Sequence, residues 1–190
     1  ARNNFDISII EKNSNLGGKM NVLEKDGFKF DTGPSLITLP KVFEELYESV
    51  EEDLHDHIEL IKVNPLFKYM FDPGEELLYS SNLSDLEKLF NDNEELGNEK
   101  FYNFITKSSK LFRLSEKTFF KKELLSTPNF TDLILFFKSP FKLFFQNYEK
   151  LIEKTFKNEK IRKIFNRYPT YVGSSPYKSS SILSIIPFME

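Results

Sequence analysis

The chain has 190 residues with 26 Lys and Arg against 29 Asp and Glu, a formal net charge of −3, and it contains no Cys. The missing Cys excludes a disulfide scaffold, a thiolate zinc site, an iron–sulfur cluster and a cysteine nucleophile, and the scattered basic residues argue against nucleic acid as a partner. No uncharged apolar run reaches the roughly 18 residues needed to span a bilayer, yet 21 Phe stand against 8 Tyr and no Trp, an apolar surplus with no polar handle that points to an apolar ligand or surface.

The first residue is Ala1, and Phe5-Asp6-Ile7-Ser8-Ile9-Ile10-Glu11 follows with no targeting pattern before it. An apolar run of this length, rich in β-branched residues and ending in an acid, predicts a buried parallel strand, which needs neighbours on both sides. The last residues, Ile185-Ile186-Pro187-Phe188-Met189-Glu190, are still apolar where a terminus is more often polar. Both ends suggest a fragment entered mid-domain.

After the strand, Asn13-Ser14-Asn15-Leu16-Gly17-Gly18-Lys19 reads as a loop in which backbone can approach a ligand closely. Asp26-Gly27 between two short alternating runs predicts a hairpin, punctuated by Thr32-Gly33-Pro34-Ser35. Pro40 at a first-turn position, with Val42, Phe43, Leu46, Tyr47 and Val50 at helical spacing, predicts a helix. Residues 58–80 alternate like strands and turn at Asp72-Pro73-Gly74; residues 84–125 are helical in pattern around an acidic loop, 91–99. Leu133, Phe136, Phe137, Phe141, Phe144, Phe145 and Tyr148 share one helical face flanked by Lys138 and Lys142, with Ser139-Pro140 as a cap between two helices. That face is either a core stripe or an interfacial surface whose rings enter lipid while the lysines stay at the headgroups.

An acid ending the second strand of a dinucleotide-binding βαβ unit accepts the ribose hydroxyls, so Glu11 is either such a ligand or a charged strand terminus. His55 and His57, with Asp53 and Asp56, sit in a polar stretch after a helix and read as solvated surface, with no metal assigned. Gly173-Ser174-Ser175 lacks the spacing of a nucleophile elbow.

Ile9-Ile10-Glu11, Leu16-Gly17-Gly18-Lys19-Met20 and Asp26-Gly27-Phe28-Lys29-Phe30-Asp31-Thr32-Gly33-Pro34 together resemble the N-terminal region of the phytoene desaturase family of FAD-dependent carotenoid oxidoreductases, within the amine-oxidase superfamily. Ile161-Arg162-Lys163-Ile164-Phe165, Tyr171-Val172-Gly173-Ser174-Ser175-Pro176-Tyr177 and Ile182 to Glu190 are similar to that family's substrate region. The resemblance implies an α/β (α+β) fold: a partial FAD-binding Rossmann-like domain (1–57) and an inserted mixed, largely helical substrate-binding and membrane-facing domain (58–190). It implies FAD held by Glu11 at the adenosine ribose, by Gly17, Gly18 and Lys19 along the cofactor, and by Thr32, Gly33 and Pro34 near the flavin. The family usually has Arg where Lys19 stands, and Lys lacks the planar fork for a bidentate contact. The glycine loop that cradles pyrophosphate belongs before Ala1, and a second FAD motif after Glu190.

The implied activity is desaturation of an apolar carotenoid such as phytoene by a cytoplasmic protein peripheral to the membrane, with Phe136, Phe137, Phe141, Phe144 and Phe145 facing substrate or lipid. No catalytic acid or base is assigned, and Arg162 is expected to serve a helix-surface ion pair. Rival readings are a carotenoid isomerase, a ketolase, an amine oxidase, or a non-catalytic lipid-surface module. Oligomeric state is left open.

Overall fold

The computed structural model describes residues 5–34, 36–71, 74–116 and 145–190, and it divides into two units, Ala1–Ile61 and Lys62–Glu190. The division expected from sequence was between residues 57 and 58.

In the first unit, β1 (Val22–Lys25) and β2 (Phe28–Asp31) form an antiparallel hairpin in which Val22 faces Asp31 and Lys25 faces Phe28. Asp26 (φ 53°) and Gly27 (φ 81°) both have positive φ, as the tight two-residue turn matching strand twist requires. Helix α1 (Pro40–Glu48) starts on Pro40, as expected, because proline's fixed φ suits the first turn and its missing N–H has no partner to lose there. The predicted strand over residues 5–11 is corrected. These residues form no strand and are exposed, Ile10 to 97%. A parallel strand is held by ladder bonds from its neighbours, and no described strand pairs with this one.

The second unit carries the core. Strands β3 (Phe67–Phe71) and β4 (Glu75–Tyr79) form the expected hairpin, with Phe67 opposite Tyr79 and Phe71 opposite Glu75. The strands begin at residue 67, later than the alternation suggested. Phe67, Tyr69 and Phe71 point inward while Lys68 and Met70 point outward, which is the period of two made visible. The expected helical stretch is helix α2 (Leu83–Asn93) and helix α3 (Gly97–Ser115), broken within the expected acidic loop at a tight corner; residues 117–125 lie outside the described residues. A β-carbon on Gly97 would lie 2.0 Å from the Phe90 carbonyl oxygen, so only glycine permits this approach. Along α3, Phe101, Phe104, Ser108, Leu111 and Ser115 recur at three and four residues and are buried.

After residue 144 come α4 (Tyr148–Thr155), α5 (Glu159–Asn166), 3-10 turns at Tyr168–Val172 and Ser181–Ile185, and the short α6 (Ile186–Met189). Asn158 caps α5, its side-chain oxygen accepting from the N–H groups of Lys160 (2.9 Å) and Ile161 (3.2 Å). The core is aromatic: the Phe156 and Phe165 rings stack with centroids 4.7 Å apart, Phe90 and Phe101 at 4.3 Å, and Phe104 meets Phe165 edge-on at 4.9 Å. These five rings are at most 4% exposed. They fill a packed interior, whereas Phe5, Phe28, Phe30, Phe43 and Phe145 are exposed.

Candidate functional site

The residues assigned to a dinucleotide lie at the open end of the β1–β2 hairpin and in the loop before it. Met20 N–H donates to the Gly17 carbonyl at 3.0 Å, closing a turn around Gly18 and Lys19. Gly17 (φ 111°) and Gly18 (φ 58°) both have positive φ, and a β-carbon on Gly18 would meet nothing within 4 Å. The loop thus presents bare backbone outward beside the Lys19 cation, a surface an anionic ligand can approach.

Hairpin pairing brings the second motif back against this loop. Thr32 donates to the Asn21 carbonyl twice, from N–H at 2.9 Å and from Oγ1 at 3.0 Å. Gly33 then lies against the Lys19 peptide: a β-carbon on it would sit 1.7 Å from the Lys19 carbonyl oxygen. Gly17, Gly18, Lys19, Thr32 and Gly33 are thereby one cluster, exposed together with Pro34. Glu11 is also exposed, and its Oε1 accepts from Asn13 N–H at 2.8 Å, which orients the carboxylate locally. This set fits a dinucleotide: an acceptor for ribose hydroxyls, open backbone at Gly18 and a cation at Lys19.

A cavity of about 710 Å³ in the same unit is lined by Glu44, Glu48, Glu51, Glu52 and the two histidines. Its carboxylates would repel a dinucleotide's phosphates, so it is not the cofactor site. His57 pairs with Glu52 at 2.8 Å, and His55 lies 3.9 Å from Glu44. Among the described residues no group of three or more His, Asp or Glu side chains is arranged to hold a metal.

In the second unit, Phe136, Phe137, Phe141 and Phe144 lie outside the described residues, as do Lys138 and Lys142. The end of that stripe divides: Phe145 is 81% exposed, whereas Tyr148 is fully buried and donates to the Phe165 carbonyl at 2.9 Å. Arg162 sits 3.7 Å from Glu153 at the surface, as expected.

Sequence reading passed over Arg167. Its Nε donates to Tyr69 Oη (2.8 Å), Nη1 to Tyr171 Oη (2.9 Å) and Nη2 to Glu190 Oε2 (2.9 Å), and its guanidinium lies 3.8 Å from the centre of the Phe67 ring. Tyr168 and Tyr171 hydroxyls donate to Glu190 at 2.7 and 2.6 Å. Burial works against the Arg167 charge, but the fields of Tyr168, Tyr69 and Glu190 outweigh it and raise its pKa. Burial pushes Tyr79, beneath this cluster, up to about 12. These bonds make the cluster a clasp joining β3, the 168–172 turn and the end of α6. The hint in the sequence was Arg167 followed by Tyr168 and Tyr171, beside the second matched stretch.

Among the described residues no helix is long and apolar enough to cross a membrane. Residues 1–52 match the NAD(P)-binding Rossmann-like domain family. Over 190 residues the chain is 28% identical to 4,4'-diapophytoene desaturase (4,4'-diaponeurosporene-forming) of Staphylococcus aureus strains Newman and USA300, and equally to that of strain bovine RF122/ET3-1. The match covers 100% of this chain and 38% of each relative, so the chain spans well under half of their length. The resemblance to carotenoid desaturases of the amine-oxidase superfamily therefore holds along the whole chain.

Proposed function

We propose that this chain is part of an FAD-dependent desaturase acting on an apolar carotenoid precursor of the phytoene type. The observation that carries the reading is the meeting of the Gly17-Gly18-Lys19 loop with Thr32-Gly33, because it turns two separate stretches of resemblance into one exposed cradle. Similarity to a relative named for converting 4,4'-diapophytoene to 4,4'-diaponeurosporene supports the substrate class. When bound, FAD supplies the hydride acceptor for dehydrogenation. The chain's own part is to hold the dinucleotide: Glu11 accepts from the adenosine ribose hydroxyls, Gly17 and Gly18 let backbone come close, and Lys19 offsets phosphate charge. A polyene has no group to hydrogen-bond, so its affinity and register come from apolar contact. The apolar face around Phe136, Phe137, Phe141, Phe144 and Phe145 is assigned to substrate or to a membrane surface, where the protein would bind peripherally on the cytoplasmic side.

Expressed at full length in cells that accumulate 4,4'-diapophytoene or phytoene, the protein should carry flavin absorbance and yield more conjugated, coloured products. Anaerobic bleaching of the flavin by a simple amine, with an unchanged pigment extract, would replace this reading with an amine oxidase. In the same protein Glu11→Ala should weaken FAD by about 1.5–3 kcal/mol, the scale of a hydrogen bond to a charged group, and Lys19→Ala by less. Titration of the apoprotein reads both, and unchanged affinity in Glu11→Ala would remove the ribose role.

A further inference from the structure

We propose that Gly33, with Thr32, is a positioning residue that sets where Lys19 stands, so that the cation of the dinucleotide cradle is placed from across the hairpin. The inference rests on the dinucleotide reading above and adds a division of labour within it: Glu11, Gly17, Gly18 and Lys19 face the ligand, while Thr32 and Gly33 act through Lys19.

The reason lies in what demands a glycine at residue 33. Its φ is outside the left-handed region, so its own conformation would accept a side chain; the space would not. A β-carbon there would stand 1.7 Å from the Lys19 carbonyl oxygen and 2.8 Å from the Lys19 carbonyl carbon. Ordinary contact begins near 3.4 Å. Both atoms met are backbone, so no rotamer change relieves the clash, and the Lys19 peptide has to move by more than an ångström.

The Lys19 peptide cannot move alone. On its N-terminal side it is held in the turn closed by Met20 N–H and the Gly17 carbonyl, and a β-carbon on Gly17 would itself lie 2.6 Å from the Met20 carbonyl oxygen. On its C-terminal side Asn21 is fastened by both Thr32 bonds, just before β1 pairs with β2. A methyl group at residue 33 therefore displaces Lys19 together with the open backbone at Gly18. Loss of the Thr32 hydroxyl loosens the same joint more gently.

The test is a double-mutant cycle in the full-length apoprotein, read by FAD titration. Lys19→Ala and Gly33→Ala should each weaken FAD about five- to tenfold, just under the roughly twelvefold at the bottom of the range for a hydrogen bond to a charged group. The Gly33→Ala, Lys19→Ala double variant should lose clearly less than the product of the two single losses, because the part of the damage at residue 33 that acts through the Lys19 side chain is already absent. Thr32→Val should show a smaller loss that likewise shrinks in the Lys19→Ala background, and it carries the test if Gly33→Ala does not fold. Losses that multiply in full, or parental affinity in the folded residue-33 and residue-32 variants, would overturn the inference while leaving the cofactor site intact. A parent that takes up no FAD, or Lys19→Ala and Glu11→Ala proteins that bind it unchanged, would remove the dinucleotide reading and this inference with it.

Discussion

Glu94→Ala is expected to destabilise the Lys62–Glu190 unit by about 3–4 kcal/mol, the scale for removing one partner of a buried, hydrogen-bonded ion pair. Only 2% of the Glu94 side chain is exposed. Its Oε2 accepts from the N–H groups of Lys157 at 2.8 Å and Asn158 at 2.7 Å, and its Oε1 takes the Lys100 ammonium. Those two N–H groups precede α5, so the carboxylate from the α2–α3 corner satisfies donors that would otherwise be left in the interior, next to those capped by Asn158 itself. Burial alone would raise the Glu94 pKa, but the bonds from Asn158 N–H, Lys100 and Lys157 N–H outweigh it and hold it below the ordinary 4.5.

A depressed folded-state pKa fixes the sign of the pH dependence. The contribution is complete above the unfolded-state value and disappears as pH falls through the lower folded-state value. Denaturant unfolding followed by circular dichroism or tyrosine fluorescence should show a large gap between parent and Glu94→Gln at about pH 7, narrowing below about pH 4. Equal midpoints at neutral pH would show that the two backbone donors find other partners.

Arg167→Met should cost a similar 3–5 kcal/mol, since Met keeps much of the apolar stem but leaves Glu190, whose side chain is 9% exposed, as an uncompensated charge. Tyr69 and Tyr171 lose a donor, and the Phe67 face loses its cation. Adding Glu190→Gln should recover part of the loss, because no buried charge then remains unpaired. A double variant less stable than Arg167→Met by the whole cost of Glu190→Gln would mean that the two side chains contribute independently.

Some of this was legible in the chain and some was not, and the dividing line is sequence distance. The Asp26-Gly27 turn, the Pro40 helix start and the alternation of β3 and β4 depend on residues a few positions apart, whose preferred φ and alternation act before any long-range contact forms. The strand over residues 5–11 was misread because a β-branched apolar run states only that a segment could pair; pairing itself needs a partner strand. In the candidate site, the resemblance pointed to Glu11, Gly17, Gly18, Lys19, Thr32, Gly33 and Pro34, but nothing local showed that Gly33 would rest on the Lys19 carbonyl.

Neighbouring residues alone were enough for the Asp26-Gly27 turn, the Pro40 helix start, the helical character of residues 84–115 and the motifs that resemble a dinucleotide-binding flavoenzyme. Tertiary contacts settle which acid of the 91–99 stretch is buried, which of Arg162 and Arg167 is enclosed, and that Tyr148 rather than Phe145 enters the core. Glu94 meets Asn158 across 64 positions and Arg167 meets Tyr69 across 98. Burying either charge costs free energy that only partners brought in from such distances can offset, so composition and spacing leave that choice undecided.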